Sequence, residues 1–166
     1  MKINHLALKA IYFHEMDRFR RTLTQSLLSP VLTTSLYFIV FGSVIGGYVE
    51  KIDGISYGSY IVPGLLMLTL LTQSISNTSF GIFFPKFNGT IYEILAAPIS
   101  TFEIVLAFVG AGATKTLIVS IIIFITSLFF VDVQVKYPLL MIFLLILVAF
   151  TFALFGFLIG LMSSDF

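Results

Sequence analysis

The chain has 166 residues, 58% of them hydrophobic and only 10% charged, with a formal net charge of +1 and a mean hydropathy of +1.09. Soluble domains carry about 25% charged residues, so the deficit places the chain in the membrane class, and the near-zero net charge provides no field to attract nucleic acid. With no cysteine in the sequence, disulfides and thiol-bound metals are excluded.

Residues 1–30 read as one unit, an amphipathic helix at the membrane interface. Leu8, Tyr12, Met16, Phe19, Leu23 and Leu27 recur at helical spacing on one stripe, while Lys9, His14, Asp17, Arg18 and Arg21 take other faces. A basic amphipathic helix beside a span fits the surface of an anionic leaflet, so membrane lipid is an expected partner. Charged side chains interrupt every apolar run here, so the stretch does not read as a signal peptide.

Residues 31–166 read as a transmembrane domain with four spans, at about 31–48, 59–83, 103–131 and 138–162. The expected fold class is therefore an all-α membrane protein. In span 1, Gly42 and Gly46 are spaced for close approach of a neighbouring helix or mark where the helix frays; both readings stay open. Span 2 is polar in its second half, where Thr72, Gln73, Ser76 and Asn77 cluster. These side chains suit either a translocation path or hydrogen bonding between helices. Span 3 carries Gly110, Gly112, Thr114, Thr116 and Ser120 as a small-residue face, and Lys115 as its one internal charge. An intramembrane lysine marks a functional position or snorkels to the interface; both readings stay open. Span 4 opens at Pro138 and carries Gly156, Gly160 and Ser164 as a packing ridge.

The stretch from Phe84 to Glu103, between spans 2 and 3, is the best functional handle. Pro85 and Pro98 stand near its borders, where each is expected to stop a helix. Thr90-x-x-Glu93 has the pattern of a capping box and predicts a short helix at 90–97. A second box, Ser100-x-x-Glu103, opens span 3, with Ile99 and Ile104 placed as a hydrophobic staple. The short helix has an apolar face of Ile91, Ile94 and Leu95.

With the N-terminus inside, the inner segments hold Lys2, Lys9, Arg18, Arg20, Arg21 and Lys86, against Lys51 and Lys136 outside. The positive-inside rule then predicts a cytoplasmic N-terminus, loop 84–103 and C-terminus. No HExxH, nucleophile elbow or phosphate loop occurs. No catalytic residue, metal site or bound cofactor is expected, and the chain does not read as an enzyme.

Three segments carry a family resemblance: Ile61-Val62-Pro63-Gly64-Leu65 opening span 2, the run Phe87-Asn88-Gly89-Thr90-Ile91-Tyr92-Glu93-Ile94-Leu95-Ala96-Ala97-Pro98, and the N-terminal helix leading into Ser29-Pro30. Over essentially its whole length the chain resembles the ABC type-2 exporter permeases, in particular the bacterial drug, polysaccharide and nodulation-factor exporters. The resemblance implies a permease subunit in the bacterial inner membrane, working as a homodimer with two copies of an ABC ATPase that binds the ATP. It implies that 90–97 is the coupling helix, with Asn88, Gly89, Thr90, Tyr92, Glu93, Leu95 and Pro98 forming or shaping the ATPase contact. The family fold has six spans. The last two have no counterpart in these 166 residues, so the chain is expected to be a fragment or a truncated product. A four-span anchor that recruits a cytoplasmic partner without transporting anything is the alternative.

Overall fold

The computed structural model describes residues 4–45, 51–52, 54–133 and 135–163. Helix α1 (His5–Arg21) leads into α2 (Leu23–Tyr37), which continues as π-helical turns over Phe38–Ile45. Two short strands, β1 (Lys51–Ile52) and β2 (Ile55–Ser56), form an antiparallel hairpin with Lys51 opposite Ser56 and Ile52 opposite Ile55. Then come α3 (Tyr57–Phe87), α4 (Ile91–Ala96), α5 (Thr101–Leu128) and α6 (Pro138–Met162). Among the described residues four helices are long and apolar enough to cross a membrane: Leu23–Phe41, α3, α5 and α6. The protein is an all-α membrane protein.

Two proline expectations fail. Pro30 does not separate the N-terminal helix from span 1: it lies buried inside α2. The break falls at Thr22, whose backbone (φ −107°, ψ 15°) leaves the helical region while its hydroxyl donates to the carbonyls of Arg18 and Phe19. The apolar stripe survives the break, because Met16, Phe19, Leu23 and Leu27 still meet in one cluster with Val119 and Ile123 of α5. Pro85 likewise does not end α3, which runs on to Phe87. A proline inside a helix costs about 3 kcal/mol. Here the preceding turn is held by burial of Gly81, Ile82 and Phe83, and Asn88 N–H still donates to the Phe84 carbonyl at 3.0 Å.

Between spans in lipid the hydrophobic drive is weak, so helices associate through small residues and close backbone approach. Along α6, Ala149, Ala153, Gly156 and Gly160 are all buried and recur at steps of four, three and four, a single helical stripe. This stripe lies on α3. A Cβ at Gly156 would stand 2.4 Å from the Ile75 carbonyl oxygen, and one at Gly160 2.6 Å from that of Ser79. Ser74 Oγ completes the contact by donating to the Ala149 carbonyl at 2.7 Å. Ser164, the third member of the expected ridge, and Gly46 of the span 1 pair lie outside the described residues.

The small residues of α5 divide between two neighbours. Gly112, Thr116 and Ser120 are buried, and Gly112 faces Thr78 of α3 so closely that a Cβ would meet its Oγ1 at 2.0 Å. Gly110 and Thr114 turn instead to Tyr12 of α1, whose hydroxyl donates to Thr114 Oγ1 at 3.0 Å.

Substituting Gly156 with Val forces side-chain atoms into backbone and is expected to cost about 1–3 kcal/mol of stability. Gly64, which has open space around its Cβ position, should accept Ala with no loss and up to about 1 kcal/mol gain. Thermal unfolding in detergent, followed by loss of helical signal, checks both.

Candidate functional site

Three polar links seat α1 along α5. The backbone N–H of Asn4 donates to Glu103 Oε1, Tyr12 reaches Thr114, and Glu15 meets Lys115. Position numbers rise together on both helices, so they run side by side in the same direction. The inner face of α1 is thus turned to protein, and its exposed apolar residues include Leu6 and Phe13.

The Lys115 ammonium is 3% exposed as a residue and donates to Glu15 Oε2 at 2.8 Å. Arg18 Nη2 reaches the same oxygen at 2.8 Å, with its side chain 33% exposed. Glu15 itself is 2% exposed. Two cations against one carboxylate leave one excess positive charge. Arg18 also lies over the Phe84 ring, 5.8 Å from its centroid, a cation–π distance. The lysine therefore neither snorkels nor stands alone; it is held by α1.

Beside this triad lies a cleft of about 700 Å³ between α1, the start of α2 and the far half of α3. It brings together four residues singled out from the sequence: Asn77, Lys115, Asn88 and Thr90. Asn77 Nδ2 bridges Gln73 Oε1 at 3.5 Å and Thr116 Oγ1 at 3.4 Å, which ties α3 to α5. Thr72 and Gln73 line a separate, smaller cleft of about 280 Å³ against α2. Thr72 spends its hydroxyl on its own helix, donating to the Leu68 carbonyl at 2.9 Å, and Ser76 is exposed. The polar row of span 2 is thus not one surface.

The loop after α3 is shaped by Gly89 at φ +77°, a conformation that costs glycine little. Its N–H reaches the Lys86 carbonyl at 3.4 Å, and Lys86 Nζ donates to the Leu161 and Ser163 carbonyls at 2.8 and 2.7 Å, capping α6. The first capping box does not form. Thr90 already has helical backbone angles (φ −63°, ψ −17°) and makes no side-chain cap, because the turn at Gly89 delivers the chain in helical register. The second box does form: Glu103 N–H donates to Ser100 Oγ at 3.3 Å and Ser100 N–H to Glu103 Oε2 at 2.7 Å. Ile99 packs against the core cluster of which Ile104 is a member. Ahead of Pro98, Ala97 is extended (ψ 151°), as the residue before a proline prefers.

Helix α4 is two-sided. Ile91 and Ile94 pack on the core cluster that contains Ile82, Ile104 and Phe157. Tyr92 (74% exposed), Glu93 and Leu95 point away, and Pro98 is also exposed. Leu95, grouped by spacing with Ile91 and Ile94 on one apolar face, is therefore separated from them and exposed. Phe87 and Phe102 stand exposed at either end of the loop. Among the described residues no group of acidic and histidine side chains is arranged to hold a metal.

A family model described as ABC-2 type transporter matches residues 7–166. The chain belongs to the ABC-2 type transporter family. It is 39% identical over all 166 residues to the inner membrane transport permease YadH of Escherichia coli K12, and equally to the proteins of that name in Escherichia coli O157:H7 and Shigella flexneri. Each match covers 65% of the relative, so the chain spans about two thirds of the length of these curated relatives. No solved structure matches the chain significantly.

Within this ABC-2 chain the residue that sequence reasoning missed is Glu15. The signal was available: Glu15 stands three residues after Tyr12 and four before Phe19, on the apolar face. A carboxylate so placed, in a chain with one lysine inside a span, is that lysine's natural partner.

Removing Glu15 leaves two cations facing each other, whereas removing Lys115 leaves the Glu15–Arg18 pair. Glu15→Gln is therefore expected to cost about 3–5 kcal/mol, and Lys115→Met clearly less. Unfolding midpoints of the two variants in one detergent check the order.

Proposed function

We propose that the chain is part of the membrane permease subunit of an ATP-driven ABC exporter in the bacterial inner membrane, with α4 coupling it to a separate ABC ATPase. The observation that carries this reading is the two-sidedness of α4: one face is keyed into the core formed with α3, α5 and α6, and the other presents Tyr92, Glu93 and Leu95 beside Phe87 and Phe102. Exposed aromatics and a carboxylate on a rigid element suit a protein docking surface. A helix held only by its neighbours cannot absorb a push by bending. Displacement of α4 passes into the end of α3 through Gly89 and into the start of α5 through Pro98 and the Ser100–Glu103 box.

The family membership and the relatives named as inner membrane transport permeases support the transport reading. The concentration of Lys and Arg in 1–30 and at Lys86 supports a cytoplasmic N-terminus and α4, with α1 on the cytoplasmic side of the membrane. ATP then binds the partner, two copies serving a permease homodimer, and this chain contributes no catalytic group. A non-transporting anchor would use the same α4 surface to recruit a partner, but it gives no reason for the stiff attachment of α4 to two spans.

Replacing Tyr92 and Glu93 together with Ala in the full-length protein is expected to abolish export, leaving the ATPase active but no longer coupled. Membrane insertion and yield should be unchanged, since both side chains are exposed. Export and ATP hydrolysis measured on the same vesicles decide the matter. Unchanged coupled export would remove α4 from the coupling role.

A further inference from the structure

The Glu15 triad leaves a positive charge that the protein does not balance. Lys115 and Arg18 share a single carboxylate oxygen, and both cations line the wall of the 700 Å³ cleft, with His14 at its rim. Among the described residues no Asp or Glu side chain lines that cleft. Asp17, the nearby acid on α1, is exposed and lies near Arg20, at 3.9 Å. An excess cation beside a membrane-spanning lysine is costly unless an anion attends it. Arg18 is built to receive one. A guanidinium has five N–H donors, and the bond to Glu15 uses Nη2, leaving others free for a second planar or tetrahedral oxyanion.

One wall of the cleft has the opposite character. Phe19, Phe80, Phe84 and Pro85 make it apolar, while neutral polar groups such as Gln25, Asn77 and Asn88 line the remainder, and the volume is within the usual range for small-ligand sites. A cationic end joined to an apolar trough matches an amphiphile with an anionic head and a hydrocarbon tail. Basic pockets between spans recognise lipid headgroups by this chemistry. We propose that this cleft holds an anionic phospholipid, its phosphate against the Arg18 guanidinium and an acyl chain along Phe80 and Phe84. The site stands independently of any ATPase, and it would make the packing of α1 sensitive to the lipid composition of its leaflet.

The chain contains no tryptophan, so a single introduced one reports locally. Phe80→Trp is placed in the cleft and Leu147→Trp on the exposed face of α6 as a control. The purified protein is reconstituted in phosphatidylcholine vesicles containing a minor fraction of brominated phosphatidylglycerol or, in parallel, brominated phosphatidylcholine. Phe80→Trp is expected to show about fivefold tighter apparent association with the phosphatidylglycerol quencher, the preference one basic residue confers. Leu147→Trp should show none. Adding Arg18→Gln should abolish the preference while keeping the fold, because Glu15 and Lys115 then match one to one, and Arg18→Lys should retain it. Equal quenching by the two lipids at Phe80→Trp overturns the proposal, as does a preference that survives Arg18→Gln. Relief of the quenching by inorganic phosphate also overturns it, by assigning the site to a free anion.

Discussion

One carboxylate oxygen, Glu15 Oε2, positions the N-terminal helix of the protein. It is the partner that lets Lys115 sit buried in a span, and the same bond locks α1 lengthwise against α5. The arrangement follows from charge placement in the sequence. A lysine fourteen residues after the start of α5 lies roughly 21 Å along that helix, too deep in the packed bundle for its ammonium to be left to solvent. A buried ion pair contributes little net stability compared with apolar replacements, yet it permits few alternative alignments, since any slip of α1 leaves a charge unpaired. The pair thus fixes where α1 lies, with Tyr12 and Asn4 as secondary ties.

The rest of the bundle is specified by size rather than by charge. Gly156 and Gly160 let α6 touch the backbone of α3, and Gly112 lets α5 close on Thr78. Contacts this close gain dispersion energy along their whole length and permit little sliding, because the next residue on either side is larger. α3 is therefore gripped from two sides by glycine-bearing helices, and its two prolines sit outside the closest contacts: Pro63 is exposed and Pro85 lies in its last turn.

Much of this was legible in the sequence because the physics is local or periodic. The presence of four spanning-length helices follows from hydropathy and length, though the first begins at Leu23 and not at residue 31, and the Ser100–Glu103 box follows from two residues at fixed spacing. The packing role of Gly156 and Gly160 follows from their four-residue step. What was not legible depended on partners distant in sequence. Pro85 carries a stop signal that tertiary burial of the preceding turn overrides. Thr90 carries a cap signal that the left-handed Gly89 makes unnecessary. Leu95 shares a face with Ile91 and Ile94 by spacing alone, but a helix of six residues has too few turns to bury a broad stripe, and Ile91 and Ile94 take the available contact. For the polar row of span 2, the residues share a helix but not a neighbour, so Asn77 and Thr72 end in different clefts.

The placement of α1 bears most directly on the loop between α3 and α5. At its N-cap α1 is tied through Asn4 to Glu103, where the loop ends. Near its last turn it is tied through Arg18 to Phe84, where the loop begins. Asn4 and Arg18 stand fourteen positions apart, so the helix between them is a strut of roughly 21 Å. Lys86, by capping α6, adds a third fixed point. A loop anchored at both ends to one helix cannot open by separating α3 from α5 unless that strut moves too. Any displacement imposed on α4 is therefore shared between the two spans it joins and α1, and the link between strut and spans that resists it most is the buried pair of Glu15 and Lys115, because breaking that pair leaves the Lys115 ammonium uncompensated in an apolar interior while Glu15 keeps Arg18.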